Sequence, residues 1–534
     1  MASSTITLLD VLTADEYDVL DHCCRECHGS SDLPKLADFL NRHFAVQLSL
    51  DPDVVAGYAT DSSNLPGHAE ALCRPASERE CAIILRACHQ SNIPLTISAG
   101  QSNLTGSATA EGGVVLSLVK MTSPSVAVDA TNKLVTTPVG IVLEEMRNQV
   151  LEQSSKKLYY PVDPTSRADA WIGGTLSCNA SGFTPGEIGA TREWVEAIDF
   201  LLPNGLKIHA KRGDYSSRAG EFKLKHGNQS LLLPVPTYPR PAIKNASGPF
   251  SSADGTMDFI DLVVGSEGLF GLITACTLKL AERPASYLEL FFSLPAESNA
   301  LAFLDYLGNR LAGDFGRLAA LEYFGVNCRQ YMDHETKLFH GNNQVGIYLQ
   351  VPVLQTPIEE MTESWFNLLL AAGCGIDPEA VLLLDNEPMQ RTFMEARHSM
   401  PANALEVVQQ RGTYTIMTDT VVPPAAFAEF LAYVHDLIIS EGIDYLSFGH
   451  FGDCHLHFTL LPEKENLNRA SAIYDQIIAK SAALGGVYSG EHGTGKRKRK
   501  DFLRCFDEQA IVQLKRCKGA VDPGFLLNRG NVFV

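Results

Sequence analysis

The sequence predicts an α+β protein built from more than one domain, and three observations support that prediction. Short apolar runs alternate with glycine-rich turns between about residues 66 and 285, which is typical of a sheet with crossing helices. From about residue 286 to 505, long helical stretches alternate with further strands. The chain has 534 residues, and at roughly 150 residues per domain this length favours two to four domains.

Composition places the chain among ordinary globular proteins and excludes several classes. Hydrophobic residues make up 45% and charged residues 20%, so the chain is not disordered, collagen-like or a disulfide-stapled miniprotein. The formal net charge of −19 disfavours a nucleic-acid partner, because phosphates are bound by an excess of positive charge. The thirteen cysteines are scattered and odd in number, which argues against a secreted disulfide framework.

The N-terminal sequence shows no export or transit signal. It reads MASSTITLLDVLTADEYDVLDHCC, which is acidic and lacks both a positive start and a long apolar run. The most membrane-like run, residues 262–280, contains Glu267 and several glycines, whereas a spanning helix needs about 20 apolar residues with few or no charges. We therefore expect a cytoplasmic protein without a transmembrane segment, and peripheral membrane contact stays open.

Residues 1–49 are predicted to form a helical lead-in, because their apolar residues recur at helical spacing. Three cysteines in this segment, Cys23, Cys24 and Cys27, suggest metal or iron–sulfur ligation. Cluster motifs normally supply four cysteines at set spacing. An ordinary helix with buried cysteines is therefore the favoured interpretation, and their role stays open.

Residues 50–285 form the first predicted domain. Short apolar runs predict its strands, and helical periodicity predicts its helices. The strands are expected at residues 94–98, 113–118, 135–139, 197–202, 262–265 and 272–280, and the helices at 78–92 and 143–153. Residues 210–257 are instead rich in proline and polar residues, and a long loop of this kind is usually functional or disordered. We interpret them as an insertion over the first domain with an open role.

Residues 286–505 form a second predicted domain, and residues 506–534 a tail that returns to the first. Helices are expected at residues 296–312, 358–372, 425–441 and 507–519. Five consecutive basic residues, 496–500, stand out in an acidic chain. Such a run usually marks a solvated face, and steering of an anionic substrate or docking of an acidic electron-transfer partner stays open.

Three glycine-rich segments carry the first functional signal. In residues 95–106, LTISAGQSNLTG, an apolar strand enters a turn whose backbone N–H groups could hold a diphosphate. An ordinary strand-to-helix turn would have the same sequence pattern. Residues 160–182 are rich in small side chains that let a flat ring lie against the backbone. Residues 262–280 are again glycine-rich between apolar runs. No G-x-G-x-x-G occurs in them, which disfavours a Rossmann NAD domain.

Taken in order, these segments resemble the FAD-binding domain of the vanillyl-alcohol-oxidase / p-cresol-methylhydroxylase superfamily. Residues 58–62, 72–75 and 189–205 are similar to further parts of that pattern, so the resemblance covers roughly residues 50–534 apart from the insertion. It implies a two-subdomain FAD-binding (PCMH-type) domain and an α+β cap domain with an antiparallel sheet. The implied FAD contacts are Ser98, Ala99, Gly100, Gln101, Ser102, Pro161, Gly173, Gly174, Ser177, Asn179, Gly182, Ile273 and Asn528.

The chain departs from that superfamily in one loop. Members often carry Arg-Gly-Gly-Gly-Thr where this sequence has Ser-Ala-Gly-Gln-Ser at residues 98–102. Some members also attach the flavin covalently to a histidine of this loop. No histidine lies between His89 and His209, so we expect non-covalent FAD unless a cysteine forms the link.

Histidines and carboxylates of the C-terminal half carry the sharper signal. The sequence reads GHFGDCHLH from residue 449 and GEHGTG from residue 490. Two strands joined by a Gly-Asp turn would place His455 and His457 on one face and bring His450 back towards His457. Two imidazoles and a carboxylate suit Zn²⁺, Mn²⁺ or Fe²⁺ with positions left for substrate.

These motifs resemble the metal site of FAD-linked D-2-hydroxyacid dehydrogenases, which act on D-lactate, glycolate or D-2-hydroxyglutarate. The family pattern is Gly-His-x-Gly-Asp-Gly-Asn-x-His followed by Gly-Glu-His-Gly-x-Gly. It implies that His450, His457 and Glu491 are metal ligands, with Zn²⁺ as the first candidate, and that His492 is the general base. The chain has His455 where the family has Asn, and a further ligand, a substrate contact or a merely buried residue stay open.

The resemblance also implies a substrate class and a route for its electrons. Arg397 is similar to the family's substrate arginine, whose guanidinium binds a carboxylate bidentately. A family lysine linked to dicarboxylic substrates corresponds to Met417 here, which favours a short acid, D-lactate first and glycolate next. The metal would stabilise the developing alkoxide, an imidazole would take the proton, and flavin would accept the hydride.

Two other functions stay open at this point. One is a catalytically silent FAD-binding subunit of a dehydrogenase complex, which would be expected to lose its metal ligands. The other is an oxidase of the same fold that acts on alcohols, phenols or sugars. The electron acceptor is expected to be a protein or a quinone, and the sequence does not identify it, the metal or the oligomeric state.

Overall fold

A computed structural model describes residues 2–534, apart from the side chain of Glu187. Helices and mixed and antiparallel sheets alternate along the chain, which confirms the α+β class. The helices longer than one turn are Ala14–Cys24, Leu33–Phe44, Pro52–Ala56, Glu78–Gln90, Leu143–Gln153, Ile172–Cys178, Phe259–Val263, Glu297–Arg310, Ile358–Ala371, Glu387–Gln410, Phe427–Ser440, Leu467–Ala483 and Arg499–Val521.

Two sheets organise the first region. The smaller sheet has a parallel core, and the larger one is antiparallel. In spatial order the smaller sheet contains Leu48–Ser49, Ala71–Cys73, Val114–Ser117 and Leu95–Ser98. The larger sheet contains Lys207–Lys211, Val195–Leu201, Leu272–Lys279, Leu134–Pro138 and Ala127–Asp129.

The predicted insertion contains a hairpin that its proline-rich composition did not indicate. Strands Glu221–His226 and Gln229–Pro234 pair antiparallel, and Thr5–Thr7 of the N-terminal segment adds a parallel third strand. The lead-in is therefore helical, with one strand at its start and a second, Leu48–Ser49, at its end. The loop after the hairpin reaches the C-terminal half, where Gly248 N–H donates to Thr494 Oγ1 at 2.9 Å.

An eight-stranded antiparallel sheet forms the second region. Alternate side chains of its strand Ser286–Leu294 enter different cores, because Phe292 packs on Phe303 whereas Phe291 packs on Phe393. In spatial order the strands are Val381–Leu383, Ser286–Leu294, Val345–Val353, Ala320–Phe324, Asp444–His450, His455–Leu461 and Ile416–Met417, and Thr420–Val421 also pairs with His455–Leu461.

Residues of the C-terminal half pack into the core of the first region. Val487, Tyr488 and Phe502 are buried in the same hydrophobic core as Leu95 and Ile273, which belong to two of the glycine-rich segments. The chain thus rejoins the core of the first region before residue 506, where the tail was predicted to begin. The domain boundaries themselves stay predictions.

One predicted element is wrong. Residues 262–265 were expected to be a strand, but 262–263 end helix Phe259–Val263 and 264–265 form the turn after it. The helix begins where Asp258 Oδ1 accepts from the Ile260 N–H at 2.8 Å. A short apolar run does not separate a strand from a buried helix. The helix predicted at 507–519 is present as the second part of Arg499–Val521, beyond a kink at Asp507, where φ is 65°.

The structure shows how the basic run, residues 496–500, and the N-terminal cysteines are placed in the fold. Lys496 and Lys498 are buried, so the run as a whole is not a solvated face. Cys23, Cys24 and Cys27 are buried in or beside the first helix, as favoured above. In residues 2–534, no helix has the length and apolarity needed to cross a bilayer.

Candidate active site

A cavity of about 370 Å³ brings the two groups of motifs together. All three glycine-rich segments contribute to its wall, and the C-terminal half contributes His450, Glu491 and His492. Small-molecule sites are typically concave pockets of roughly 300–1,000 Å³ with a few polar groups on the wall. The cavity is therefore the candidate active site.

Backbone geometry explains the glycine-rich turn that follows strand Leu95–Ser98. A Cβ atom on Gly100 would lie 2.3 Å from the carbonyl oxygen of Asp169, so only glycine fits there. Gln101 has a φ of 55°, in the left-handed region, and its Nε2 donates to the carbonyl of Thr60 at 2.6 Å. These contacts hold the turn against the cavity.

Small residues of the second segment bring the backbone close to the same cavity. A Cβ atom on Gly173 would lie 2.8 Å from Leu118 Cδ1, and one on Gly182 would lie 2.5 Å from the backbone of Asp163. Neither position can carry a side chain, so helix Ile172–Cys178, which contains Gly173, and the chain at Gly182 both pack closely against their neighbours. The resulting wall can accept a flat ring.

Most of the residues expected to contact FAD line this cavity. They are Ala99, Gly100, Gln101, Ser102, Gly173, Gly174, Ser177, Gly182, Ile273 and Asn528. Three others lie elsewhere: Ser98 is fully buried, Asn179 Oδ1 accepts from the Arg192 N–H, and Pro161 lines a second cavity of about 260 Å³. Contact with a cofactor stays a prediction for the whole set.

Glu267 joins the third glycine-rich segment to the C-terminal motif. Its buried carboxylate accepts from the N–H groups of Thr494 and Gly495 at 2.6 and 2.7 Å and from Ser107 Oγ at 2.8 Å. Its backbone carbonyl accepts from Asn528 Nδ2 at 2.9 Å. Burial raises the pKa of the Glu267 carboxyl group. The network fixes the GEHGTG loop beside the cavity.

The histidine hairpin has the geometry that the spacing predicted. Strands Asp444–His450 and His455–Leu461 pair antiparallel, and His450 lies opposite His455. Side chains alternate along the second strand, so His455 and His457 share a face. Their ring centroids lie 4.7 Å apart.

Four potential metal ligands converge at this hairpin. One ligand atom from each of four residues lies within 4.8 Å of the others. These residues are His450, His455, His457 and Glu491. The structure thus brings the three expected ligands together and adds His455. Three imidazoles and a carboxylate can hold Zn²⁺, Mn²⁺ or Fe²⁺.

The second ring nitrogen of two of these histidines is held by an oxygen. His450 Nδ1 donates to Glu322 Oε1 at 2.6 Å, and His457 Nδ1 donates to the carbonyl of Thr418 at 3.1 Å. Such contacts set the tautomer and orientation of a metal-binding imidazole. In each ring Nε2 is the nitrogen that faces the cluster.

Burial and neighbouring charges shift the pKa values of groups in and around the cluster in different directions. Burial disfavours a charge on His450, but Glu322 and Glu491 outweigh burial and raise its pKa to about 9. Burial also opposes ionisation of Glu322, whose pKa is nevertheless lowered to about 2 by His450 and Arg397. Burial lowers the pKa of His457 to about 3 and keeps its ring neutral.

Asp419 connects the cluster to the candidate base. Its buried carboxylate accepts from His455 Nε2 at 2.9 Å, from Ser489 Oγ at 2.6 Å and from Lys498 Nζ at 2.8 Å. It also lies 3.2 Å from His492 Nδ1. Burial opposes its charge, but His492 and Lys498 outweigh burial and hold the pKa of Asp419 well below its usual range.

His492 lies on the cavity wall with one nitrogen engaged. Because Nδ1 faces the Asp419 carboxylate, Nε2 is the nitrogen that can accept a proton. The ring stacks on His457, with centroids 5.7 Å apart and planes 18° apart. The backbone carbonyl of His492 accepts from Thr105 Oγ1 at 3.2 Å, which ties the GEHGTG loop to the first glycine-rich segment.

Arg397 contacts the site through two neighbours. Its Nη2 donates to Glu322 Oε2 at 2.9 Å, and its guanidinium lies 4.4 Å from the ring centroid of Phe183. Phe183 lines the cavity and meets His450 edge-on. Carboxylate binding by Arg397 stays a prediction, and the structure adds that the residue holds Glu322.

Lys244, from the predicted insertion, reaches the cluster and was not foreseen. Its side chain is 4% exposed, and Nζ lies 2.6 Å from Glu491 Oε1 and 3.4 Å from Asp453 Oδ2. Burial opposes the charge of Lys244, but the two carboxylates outweigh burial and raise its pKa. Lys244 lies 247 residues from Glu491 in a proline-rich loop, so sequence spacing carried no signal for it.

Both parts of the site lie in regions of the chain that match known protein families. Residues 69–211 match the FAD binding domain family, and residues 349–532 match the family of FAD linked oxidases, C-terminal domain. The first match contains the turn at residues 98–102, and the second contains the histidine hairpin and the GEHGTG loop.

Similar proteins extend over most of the chain. D-lactate dehydrogenase of Anaerostipes hadrus is 27% identical over 479 residues, covering 87% of this chain and 89% of the relative. Glycolate oxidase subunit GlcD of Bacillus subtilis is 26% identical over 471 residues, also covering 87% and 89%. The chain is an FAD-linked oxidoreductase.

A solved structure supports the fold of this FAD-linked oxidoreductase. The crystal structure of p-cresol methylhydroxylase with substrate bound superposes with a TM-score of 0.66 and covers 99% of both chains. The two sequences are 13% identical. This likeness shows the PCMH-type fold and confirms the predicted fold class.

Proposed function

We propose that this FAD-linked oxidoreductase oxidises a short D-2-hydroxy acid, D-lactate first and glycolate next, and passes the electrons to an acceptor other than NAD. One observation carries the proposal: a cluster able to hold a divalent metal and a carboxylate-bound imidazole open onto the cavity that the glycine-rich FAD segments line. Relatives named D-lactate dehydrogenase and glycolate oxidase subunit GlcD support the substrate class.

The cavity wall fits FAD held without a covalent bond. The turn at residues 98–102 offers backbone groups to the diphosphate, and Gly173 and Gly174 leave room for the ring. Cys178 also lines the cavity, but burial raises the pKa of its thiol to about 12, so the nucleophilic thiolate is disfavoured. FAD supplies the hydride acceptor, and the protein orients the substrate beside it.

The donor set fits a divalent metal. His450, His457 and Glu491 each present a nitrogen or oxygen atom to a common point, and the buried Nδ1 of His455 has no hydrogen-bond partner in residues 2–534. An imidazole nitrogen left without a partner suits a ligand position. A metal held there would bind the substrate hydroxyl and carboxylate and stabilise charge on the hydroxyl oxygen.

Different residues are proposed to take the hydroxyl proton of the substrate and to bind its carboxylate. His492 Nε2 takes the hydroxyl proton, and Asp419 stabilises the imidazolium that forms. Arg397 is the candidate cation for the substrate carboxylate, and its position against Phe183 sets it beside the cavity. The family resemblance places the uncharged Met417 where the pattern linked to dicarboxylic substrates has lysine, and this favours a short acid.

Anaerobic reduction of the flavin by a substrate panel tests the proposal. The panel contains D-lactate, L-lactate, glycolate, D-2-hydroxyglutarate and D-malate, and loss of the oxidised-flavin absorbance is followed for each. We expect D-lactate to reduce the flavin fastest and L-lactate not to reduce it. Reduction by none of them in a yellow, metal-loaded protein would overturn the proposal and favour a silent FAD-binding subunit.

A further inference from the structure

We propose that His455 is a fourth protein ligand of the metal, so that the site binds through three imidazoles and one carboxylate. The inference rests on the proposed function, because it assumes a metal in the cluster described above. It adds a ligand that the three-residue site implied by the sequence does not contain. It also changes which metal the site should prefer.

The position of the His455 ring supports this role. The residue has 0% exposure, and its Nε2 donates to Asp419 Oδ1 at 2.9 Å. Because a carboxylate can only accept, the proton is on Nε2 and the lone pair is on Nδ1. Nδ1 is buried without a hydrogen-bond partner in the described part of the chain, and it lies 3.8 Å from Glu491 Oε1.

Packing holds the ring where it can ligate. Its centroid lies 5.3 Å from that of His450 and 4.7 Å from that of His457. The backbone of Gly490 closes one side, because a Cβ atom there would lie 2.8 Å from His455 Cε1. A buried polar atom without a partner is costly, and ligation would satisfy this one.

With four protein ligands, the number of positions left for substrate would depend on the coordination number of the metal. A tetrahedral Zn²⁺ site with four protein ligands is closed, as in structural zinc sites. A six-coordinate metal such as Mn²⁺, Fe²⁺ or Co²⁺ keeps two positions, which matches a hydroxyl and a carboxylate on neighbouring carbons. His450 and Glu491 line the cavity, so a metal that they held would lie at the wall of the cavity that the substrate would enter. The donor set therefore favours a six-coordinate metal over the Zn²⁺ expected from sequence.

Counting imidazoles on bound Co²⁺ tests the inference. The FAD-bound protein is stripped of metal, loaded with Co²⁺ and measured by X-ray absorption, and Co²⁺ affinity is measured by competition with a chelator. The variant is His455→Asn, which carries the residue of the family pattern. The control is His435→Asn, because His435 is another buried histidine, bonded to Tyr445 and Glu297 outside the cluster.

We expect three imidazoles in the wild type and control and two in His455→Asn, with Co²⁺ bound at least about 10-fold more weakly by that variant. Two imidazoles in the wild type would overturn the inference, even where the variant fails to fold. If such a protein still oxidised D-lactate in a metal-dependent way, the proposed function would stand without it. A wild type that binds no Co²⁺ would overturn both the inference and the metal part of the proposed function.

Discussion

At the scale of single residues, carboxylates behind the histidines prepare the site for its chemistry. Glu322 holds Nδ1 of His450, and Asp419 holds both His455 and His492. Each contact fixes a tautomer, so a chosen ring nitrogen faces the cluster or the cavity. Both carboxylates are buried, and their charges are stabilised by cations that also contact them.

Replacing Glu322 tests the orientation of His450. We expect Glu322→Gln to weaken divalent-metal binding by about 10- to 100-fold, because the amide supplies no charge to the imidazole and can present its NH₂ group instead. Chelator competition measures the affinity. Glu289→Gln is the matched control, since Glu289 lies in the same sheet and accepts from Gln350 at 3.0 Å. Equal affinities in the two variants would contradict the prediction.

Replacing His492 tests the candidate base. We expect His492→Gln to slow flavin reduction by D-lactate by about 10²- to 10⁴-fold, because no imidazole then takes the hydroxyl proton. Stopped-flow reduction measures the rate, while FAD and metal content should match the wild type. His435→Gln controls for loss of a buried histidine. A rate within a few-fold of the wild type would assign the proton to another group.

At the scale of elements, the structure shows which patterns were informative. The histidine hairpin was predicted correctly because alternation along a strand decides which side chains share a face. Residues 262–265 were predicted wrongly because so short an apolar run fits a helix as well, and capping by Asp258 selects the helix. The proline-rich insertion contained a hairpin, Glu221–His226 with Gln229–Pro234, whose pairing the composition concealed.

The loop that follows this hairpin places Lys244 against Glu491, which tests the role of the insertion. We expect Lys244→Met to bind divalent metal at least about 10-fold more tightly, because an ammonium that contacts a ligand carboxylate repels a dication at short range. Chelator competition measures the affinity. Lys244→Arg keeps the charge and should behave like the wild type. Weaker binding by Lys244→Met would show instead that the lysine holds Glu491 in its ligating position.

At the scale of the whole molecule, the site depends on contacts between distant parts of the chain. The resemblance of two short motifs to a known metal site pointed to His450, His457, Glu491 and His492, and the structure brings the first three together. Glu322 could not be found in this way, since it joins His450 only through strand pairing across the large sheet, 128 residues apart. The fold class and most long elements could be predicted from periodicity. Contacts between residues far apart in sequence, such as Glu322 and His450, can be seen only in the folded chain.

Lys496 connects the C-terminal motif to the FAD segments and gives a pH prediction. It donates to Asn531 Oδ1 at 2.8 Å and to the carbonyl of Gly106 at 3.3 Å, and burial lowers its pKa to about 8. Between pH 8 and roughly 10.4, the ordinary lysine pKa, the unfolded chain binds more protons than the folded one, so stability rises with pH.

Comparison of the wild type with Lys496→Met isolates this contribution, because the variant has no group that titrates at this position. We expect the melting temperature of the wild type to rise relative to that of the variant between pH 8 and 10, by an amount equivalent to at most about 3 kcal/mol. Thermal unfolding of both FAD-bound proteins across this pH range gives the comparison. A constant difference would show that Lys496 titrates normally in the folded protein.

Metal removal and return, followed by anaerobic flavin reduction, test most directly that one cavity unites FAD, metal and base. The FAD-bound protein is mixed with D-lactate as purified, after EDTA treatment and after a divalent metal is restored. We predict fast reduction, a loss of at least about 10²-fold with EDTA, and recovery with the metal, while FAD stays bound throughout. Reduction that is equally fast after verified metal removal would contradict a metal role at His450, His457 and Glu491.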